Sequence, residues 1–165
     1  MYWQQRNGFL TSCVAYSCRK VSGGPFQAWA DVDASSVTFF DHKEALQYGG
    51  LPKNNMGGII FIRLSDLGER AYCATCNTPL AMRYKNWMEN TSLALGAVDE
   101  ESLTKTAKEA LQLSAHIFTS HKAWWLNIKD DDLPKYDRFT DESFEDMTLQ
   151  DDPESFDGEE EAWTE

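Results

Sequence analysis

The sequence contains no apolar run long enough to cross a membrane. Such a span needs roughly 20 consecutive apolar residues, whereas the run Ile59-Ile60-Phe61-Ile62 has only the length of a β-strand. The N-terminal segment MYWQQRNGF also lacks the apolar stretch of a secretory signal peptide. We therefore predict a protein without a membrane partner in a reducing compartment, the cytoplasm or the nucleus.

Positive charge is scarce, and its distribution argues against a nucleic-acid partner. From residue 141 to residue 165 there are 12 acidic residues and no lysine or arginine, while the rest of the chain balances 15 acidic against 15 basic residues. The net charge of −12 therefore lies entirely in the C-terminal tail. No basic stripe is present to bind phosphates, and the tail would repel them.

The composition of this tail predicts a disordered segment, 141–165, after a single folded domain, 1–140. A block of one charge sign with few apolar residues cannot bury enough surface to offset the entropy lost on ordering. The apolar residues spaced among the acids are Phe144, Met147, Leu149, Phe156 and Trp163. This pattern is found in acidic–aromatic segments that dock on a protein partner, although a solubilising tail without a partner is the simpler interpretation.

The chain has only four cysteines, and they form two close pairs. Cys13 and Cys18 precede a glycine-rich turn, and Cys73 and Cys76 form a Cys-x-x-Cys motif. Thiolates are zinc ligands, and in a reducing compartment such pairs are more often metal sites than disulfides. We predict zinc ligands at Cys73 and Cys76, with an empty reduced pair as the alternative. Cys13 and Cys18 are predicted as ligands or as buried free thiols. A single zinc site formed by all four is a further alternative.

The hydrophobic pattern predicts a mainly β protein with one clear helix. Asp99 can cap this helix, and residues 41–58 are expected to form a long loop. The apolar face of the helix is formed by Leu103, Ala107, Ala110 and Leu111. Aromatic segments between residues 116 and 136 are expected to close the open side of a sheet. The predicted strands are Phe26–Val32, Ser36–Phe40, Ile59–Leu64, Ala71–Cys73, Leu80–Tyr84 and Ser92–Val98.

Three blocks of sequence occur in an order found in one known family. The first, CVAYSCRKVSGGPFQAW from Cys13 to Trp29, is similar to C-x-C-x-x-C-(R/Q)-(K/R)-x-(S/T)-G-x-P-F. The second, YCATCNTPL from Tyr72 to Leu80, is similar to F-C-x-x-C-G-T-P-L. The third block, residues 116–136, contains HIF, WL and DLPKY. Together they resemble the family of glutathione-dependent formaldehyde-activating enzyme and centromere protein V.

The resemblance implies a β-tent, in which small antiparallel sheets lean together around a zinc knuckle. It also implies a structural zinc held by an early Cys-x-Cys pair together with Cys73 and Cys76. A second, catalytic zinc would be held by the cysteine triplet to which Cys13 and Cys18 belong. The implied activity is that of a carbon–sulfur lyase, which adds the thiol of glutathione to formaldehyde and gives S-hydroxymethylglutathione.

The sequence departs from the family pattern at three places. Met1–Ser12 contains no cysteine, so the early Cys-x-Cys strand is missing and the domain is predicted to be incomplete at its N terminus. Ala15 occupies the middle position of the cysteine triplet and offers no lone pair to a metal. Asn77 stands where the family usually has glycine. Because asparagine tolerates a left-handed backbone, we expect the turn after Cys76 to survive.

Other residues near these motifs have two interpretations each. The amides of the turn Ser22–Pro25 could approach glutathione, or the turn could simply hand the chain to the next strand. Arg19 and Lys20 could attract the anionic tripeptide, or they could form a solvated face. For His116, a packing or hydrogen-bonding role is expected rather than metal binding.

Two functional hypotheses follow. The first is a zinc-dependent carbon–sulfur lyase-like protein that acts on glutathione adducts or a related small molecule, with Cys13 and Cys18 as the catalytic residues. The second is a non-catalytic zinc-binding scaffold whose acidic tail is an interaction segment. A third possibility, an enzyme for a different small molecule, rests on fold analogy alone.

Overall fold

A computed structural model describes residues 10–41, 44–47, 58–65, 68–85 and 87–140. These residues form nine β-strands and two short α-helices, which confirms the prediction of a mainly β protein. The strands are β1 (Leu10–Cys13), β2 (Gln27–Asp33), β3 (Thr38–Asp41), β4 (Glu44–Gln47), β5 (Ile59–Ser65), β6 (Gly68–Cys73), β7 (Pro79–Tyr84), β8 (Asn90–Ala94) and β9 (Leu113–Ile117). The helices are α1 (Tyr16–Ser22) and α2 (Lys105–Ala110).

Seven of these strands form one sheet in the order β5-β6-β7-β8-β2-β1-β9, and β3 and β4 form a separate hairpin. All neighbours in the large sheet are antiparallel except β1 and β9, which are parallel. One large sheet therefore holds most of the strands, rather than several small ones. Four successive antiparallel pairings connect β6 to β1, so these two strands run in the same direction. Their C-terminal ends therefore lie at the same end of the sheet.

Strand register divides the sheet into two faces. On one face, which we call the α1 face, Arg70 is the cross-strand partner of Met82, Met82 of Ser92, and Ser92 of Asp31. Its apolar core consists of Cys13, Ala15, Cys18, Trp29, Met82 and Ala94. The opposite face is built around Ile59, Ala71 and Ala81, with Phe61, Leu80 and Leu93 packed against them. Arg70 and Ala71 are sequence neighbours and so belong to opposite faces.

Helix α1 packs on the α1 face through the buried Cys18. The sequence pattern does not predict this helix, because it has seven residues and Ala15 provides no side-chain cap. It ends at Gly23, whose φ of 67° is left-handed and whose N–H donates to the carbonyl of Arg19 at 2.9 Å. A helix this short depends on tertiary packing rather than on intrinsic propensity.

The helix predicted after Asp99 is shorter than expected and is divided in two. A 3-10 turn forms at Glu100–Ser102, and α2 begins only after Thr104, whose hydroxyl accepts a hydrogen bond from the Ala107 amide at 3.1 Å. Thr104 rather than Asp99 is therefore the side-chain cap of the α-helix. The apolar periodicity that motivated the longer helix spans both pieces.

The predicted strands agree with β2, β3, β5, β6, β7 and β8 to within a few residues. The pattern does not predict β1 or β9, because polar side chains such as Ser12 and His116 interrupt their apolar character. Residues 44–47 form β4 inside the segment predicted as a loop, and residues 48–57 of that segment lie outside the described part.

The chain after β9 closes the outer edge of the sheet. The His116 amide donates to the carbonyl of Pro134, and the Tyr136 amide donates to the carbonyl of His116, both at 2.9 Å. This confirms the closing role expected for the DLPKY segment. The tryptophan pair takes no part in it, since Trp124 and Trp125 are 92% and 56% exposed.

Among the described residues, neither α-helix approaches the length and apolarity that a membrane span requires. The predicted acidic tail, 141–165, lies outside the described residues.

We predict that Gly68→Ala destabilises the fold by about 1–3 kcal/mol. A Cβ atom at this position would lie 2.4 Å from the carbonyl oxygen of Arg83 on the paired strand β7, and backbone cannot move aside cheaply. Urea unfolding measures the loss. The control is Gly96→Ala, where a Cβ atom meets nothing within 4 Å. Equal effects of the two substitutions would contradict the close approach of β6 and β7 at Gly68.

Candidate functional site

The end of β1 and the first turn of α1 bring two thiols together on the α1 face. Cys13 is the last residue of β1, Val14 and Ala15 form the link, and Cys18 lies in α1. The thiols of Cys13 and Cys18 interact directly, and the two residues are 4% and 2% exposed. Both are free cysteines. The pair is therefore buried, and its role as a pair of metal ligands stays a prediction.

A positive charge reaches this thiol pair along the same face from β6, which three strands separate from β1. Arg70 on β6 is buried, and its Nη2 lies 3.4 Å from both the Cys18 Sγ and the Ser17 Oγ. The guanidinium also lies over the ring of Trp29 on β2, 5.6 Å from the centroid. Arg70 was not among the residues that the motifs single out. Period-2 alternation could have indicated it, because it shares the inward-facing side of β6 with Tyr72.

These contacts shift the pKa values of the two thiols in opposite directions. The hydrogen bond from Cys13, the charge of Arg70 and contacts with Arg70 and Trp29 together lower the pKa of Cys18 from 9.0 to about 6, against the opposing effect of burial. The hydrogen bond to Cys18 and burial raise the pKa of Cys13 well above 9.0. The two shifts have opposite directions, so Cys18 is the thiol of the pair that loses its proton first.

Two further ionisable groups line the same face. Burial raises the pKa of Tyr84 well above 10.0, and the nearby Cys13 and Cys18 raise it further. Burial also raises the pKa of Asp31 to about 6, although a hydrogen bond from Ser92 at 2.5 Å opposes this shift. A buried tyrosine hydroxyl and a carboxyl with a raised pKa thus lie on the same face as the two thiols.

The glycine-rich turn after α1 is structural. The amide of Gly23 donates to the Arg19 carbonyl, and the amide of Gly24 donates to the Ser22 hydroxyl at 3.1 Å. Both amides are therefore committed within the turn. Arg19 is also engaged, since its Nε donates to the Val14 carbonyl and its Nη2 to the His121 carbonyl, both at 3.1 Å. These contacts favour the structural interpretations of the turn and of Arg19.

The second cysteine pair lies in the turn between β6 and β7. The Cys73 amide donates to the Thr78 carbonyl, and the Asn77 amide donates to the Cys73 carbonyl, both at 2.9 Å. Asn77 has a φ of 58°, which confirms the expectation that asparagine supports this turn. Cys76 is exposed, and hydrogen bonds from Thr78 and Cys73 lower the pKa of its thiol.

One cysteine pair begins at the end of β1 and the other at the end of β6. Three strands lie between β1 and β6 in the sheet. In the part of the chain that the structure describes, no three His, Cys, Asp or Glu side chains come together to hold a metal ion. A structural zinc takes four protein ligands and a catalytic zinc takes three. Each pair supplies two sulfurs, and Ala15, which lies between Cys13 and Cys18 in sequence, offers no ligand atom. The described residues therefore do not complete a zinc site, and zinc at either pair stays a prediction.

A hydrogen-bonded chain of polar side chains lies on the opposite face. The Ser12 Oγ bonds to the Nδ1 of His116 on the adjacent strand, and the His116 Nε2 lies 2.7 Å from the Asp131 Oδ2. Lys135 in turn donates to the Asp131 Oδ1 at 2.7 Å. Ser12 is fully buried, so this Ser–His–Asp arrangement is not open to a substrate. It ties the C-terminal segment to β9 and β1, as expected for a hydrogen-bonding His116.

No protein-family model and no curated protein matches this chain. Function is therefore inferred from the chemistry of the α1 face.

We predict that Asp31→Asn stabilises the protein above pH 6 and has little effect near pH 4. Because burial raises the pKa of Asp31 above its ordinary 3.8, the folded state holds the proton more tightly than the unfolded state. Its contribution is fully present below about pH 4 and is lost as the pH rises through about 6, for a total of up to about 3 kcal/mol. Urea unfolding of both proteins from pH 4 to pH 8 measures this difference.

The control is Asp33→Asn, two residues along the same strand. Asp33 is exposed, and hydrogen bonds from Ser35 lower the pKa of its carboxyl, so its contribution to stability is lost as the pH falls. The two substitutions should therefore change the pH profile in opposite senses. A uniform effect of Asp31→Asn at every pH would contradict the raised pKa.

Proposed function

We propose that this protein makes and breaks carbon–sulfur bonds in adducts of glutathione or a related small thiol. The observation that carries the proposal is the buried Cys13–Cys18 pair beside the Arg70 guanidinium. The resemblance of the three sequence blocks to the glutathione-dependent formaldehyde-activating family supports the substrate class. Its four free thiols suit a reducing compartment such as the cytoplasm.

The geometry supports a proton relay through the two cysteines. The Cys18 thiolate accepts the proton of the glutathione thiol while the glutathione sulfur forms a bond to the carbon of formaldehyde. The π electrons of the carbonyl bond move to oxygen, which takes the proton of Cys13. A proton then passes from Cys18 to Cys13 along their hydrogen bond, and the pair is restored. The net reaction adds glutathione to formaldehyde and forms S-hydroxymethylglutathione, and its reverse is the lyase reaction.

Arg70 has two roles in this scheme. Its charge favours the thiolate over the thiol at Cys18, and it stabilises the negative charge that moves onto the incoming sulfur or oxygen. Ser17 is exposed and contacts the same guanidinium. In the proposed reaction, formaldehyde and the glutathione thiol enter at this side of α1.

We predict that Cys18→Ser lowers the enzymatic rate of S-hydroxymethylglutathione formation about 100-fold or more, because the proton acceptor is lost. NMR exchange spectroscopy with formaldehyde and glutathione measures this rate. The matched control is Cys76→Ser, which removes an exposed thiol whose pKa is also lowered and which should retain the wild-type rate. Equal losses in the two variants would show unspecific thiol chemistry and contradict the proposal.

Removal of metal ions distinguishes this relay from a zinc-dependent reaction. The relay uses only side chains of the chain, so treatment with a chelator is expected to leave the rate unchanged. If the rate falls and returns on addition of zinc, with the zinc content falling in Cys13→Ser, the zinc-dependent enzyme implied by the resemblance replaces the relay.

The second candidate is a non-catalytic scaffold with the acidic tail as its interaction segment. The absent third sulfur at Ala15 and the near-complete burial of Cys13 and Cys18 favour it. Under this alternative the wild-type protein gives no acceleration. A protein partner would then bind in a manner that requires residues 141–165 and is indifferent to Cys18→Ser.

A further inference from the structure

The guanidinium of Arg70 has hydrogen-bonding capacity that the protein leaves unused. Its Nη2 lies 3.4 Å from the Cys18 Sγ, an ordinary length for a hydrogen bond to sulfur, and 3.4 Å from the Ser17 Oγ, which is long for a hydrogen bond to oxygen. Its Nη1 is buried and has no hydrogen-bond partner. Buried polar atoms are nearly always paired, and an unpaired one calls for an explanation such as a bound ligand.

A second unpaired donor lies beside it. Tyr72 follows Arg70 by two residues on β6 and therefore belongs to the same face. Its hydroxyl is buried without a protein partner that meets hydrogen-bond geometry. The guanidinium of Arg70 and this hydroxyl interact directly, which places the two groups close together. Two buried donors therefore lie close together on one face of β6.

The charge of Arg70 is also incompletely compensated. None of the ion pairs among the described residues includes Arg70, and its contact with the Cys18 Sγ is on its Nη2 side. A buried guanidinium is stable only when its charge and its donors are satisfied. The Nη1 side therefore lacks an acceptor that carries negative charge.

We propose that Arg70 and Tyr72 bind the carboxylate of a small organic ligand next to Cys18. Two donors from a guanidinium edge and a hydroxyl match the two oxygens of a carboxylate, whereas a phosphate dianion would require more donors. The proposal rests on the proposed function for the placement of a ligand sulfur near Cys18. It adds that the preferred thiol carries a carboxylate a few bonds from its sulfur.

Mercaptoacetate and 2-mercaptoethanol test this directly, because they share a thiol and a two-carbon chain and differ in the carboxylate. Calorimetric titration of the full chain should give a dissociation constant for mercaptoacetate that is at least about tenfold lower than that for 2-mercaptoethanol. With Arg70→Met, the dissociation constants of the two thiols should be about equal. Tyr72→Phe should reduce the preference for mercaptoacetate severalfold, since it removes one donor and keeps the ring.

Arg83→Met is the control, because Arg83 lies on the adjacent strand with its Nη2 3.9 Å from the Glu69 carboxylate. It should retain the preference. Equal affinities of the wild-type protein for the two thiols, or a preference that survives Arg70→Met, would overturn the proposal. If Arg70→Met does not fold, as judged by thermal unfolding, an unchanged preference in Tyr72→Phe overturns it instead.

Cys18→Ser separates this proposal from the proposed function. The substitution removes the thiol chemistry but leaves both donors, so the preference for mercaptoacetate should persist while the formaldehyde reaction is lost. Loss of the preference in Cys18→Ser would contradict the carboxylate site. Retention of the formaldehyde reaction would contradict the relay and leave the carboxylate preference to be judged on the other variants.

Discussion

A single buried positive charge connects parts of this protein that are far apart in sequence. Arg70 extends from β6 to Cys18 in α1 and to the ring of Trp29 in β2. In a flat sheet, the two strands between β6 and β2 would place these backbones about 14 Å apart. The long side chains of Arg70 and Trp29 bridge this distance above the α1 face. This reach gives the guanidinium its influence on Cys18.

The two faces of the sheet differ: one supports the fold, and the other carries the ionisable groups. The opposite face is lined by alanines and by the Ser12–His116–Asp131 chain, which holds the C-terminal segment against β9. It is closed to solvent at Ser12 and supports the fold. The α1 face combines a thiol pair, a guanidinium, a tyrosine hydroxyl and a carboxyl in one enclosed region. Ionisable groups collect where burial can change their proton affinities, and this is typical of a site with chemistry to perform.

The sequence predicts the mainly β fold because strongly apolar runs such as Ile59–Leu64 leave little alternative. It fails at β1, α1 and β9, where polar side chains are buried only because other strands satisfy them. Ser12 and His116 pair across two strands that are 104 residues apart in sequence, and no local pattern encodes that contact. The motifs located the cysteines, since Cys spacing is a local signal. The motifs do not single out Arg70, because its contact with Cys18 joins residues 52 positions apart in sequence.

The contact between Arg70 and Cys18 can reproduce one effect of a bound metal ion but not another. A guanidinium 3.4 Å from sulfur favours the thiolate by its charge, as a bound cation does. It accepts no electron pair, however, so it cannot act as a Lewis acid on a carbonyl oxygen. In the proposed reaction, polarisation of the aldehyde comes from a proton donor, and Cys13, whose pKa is raised well above that of an ordinary thiol, is adjacent to Cys18. In that reaction the two cysteines, with Ala15 between them, divide the tasks of proton acceptor and proton donor.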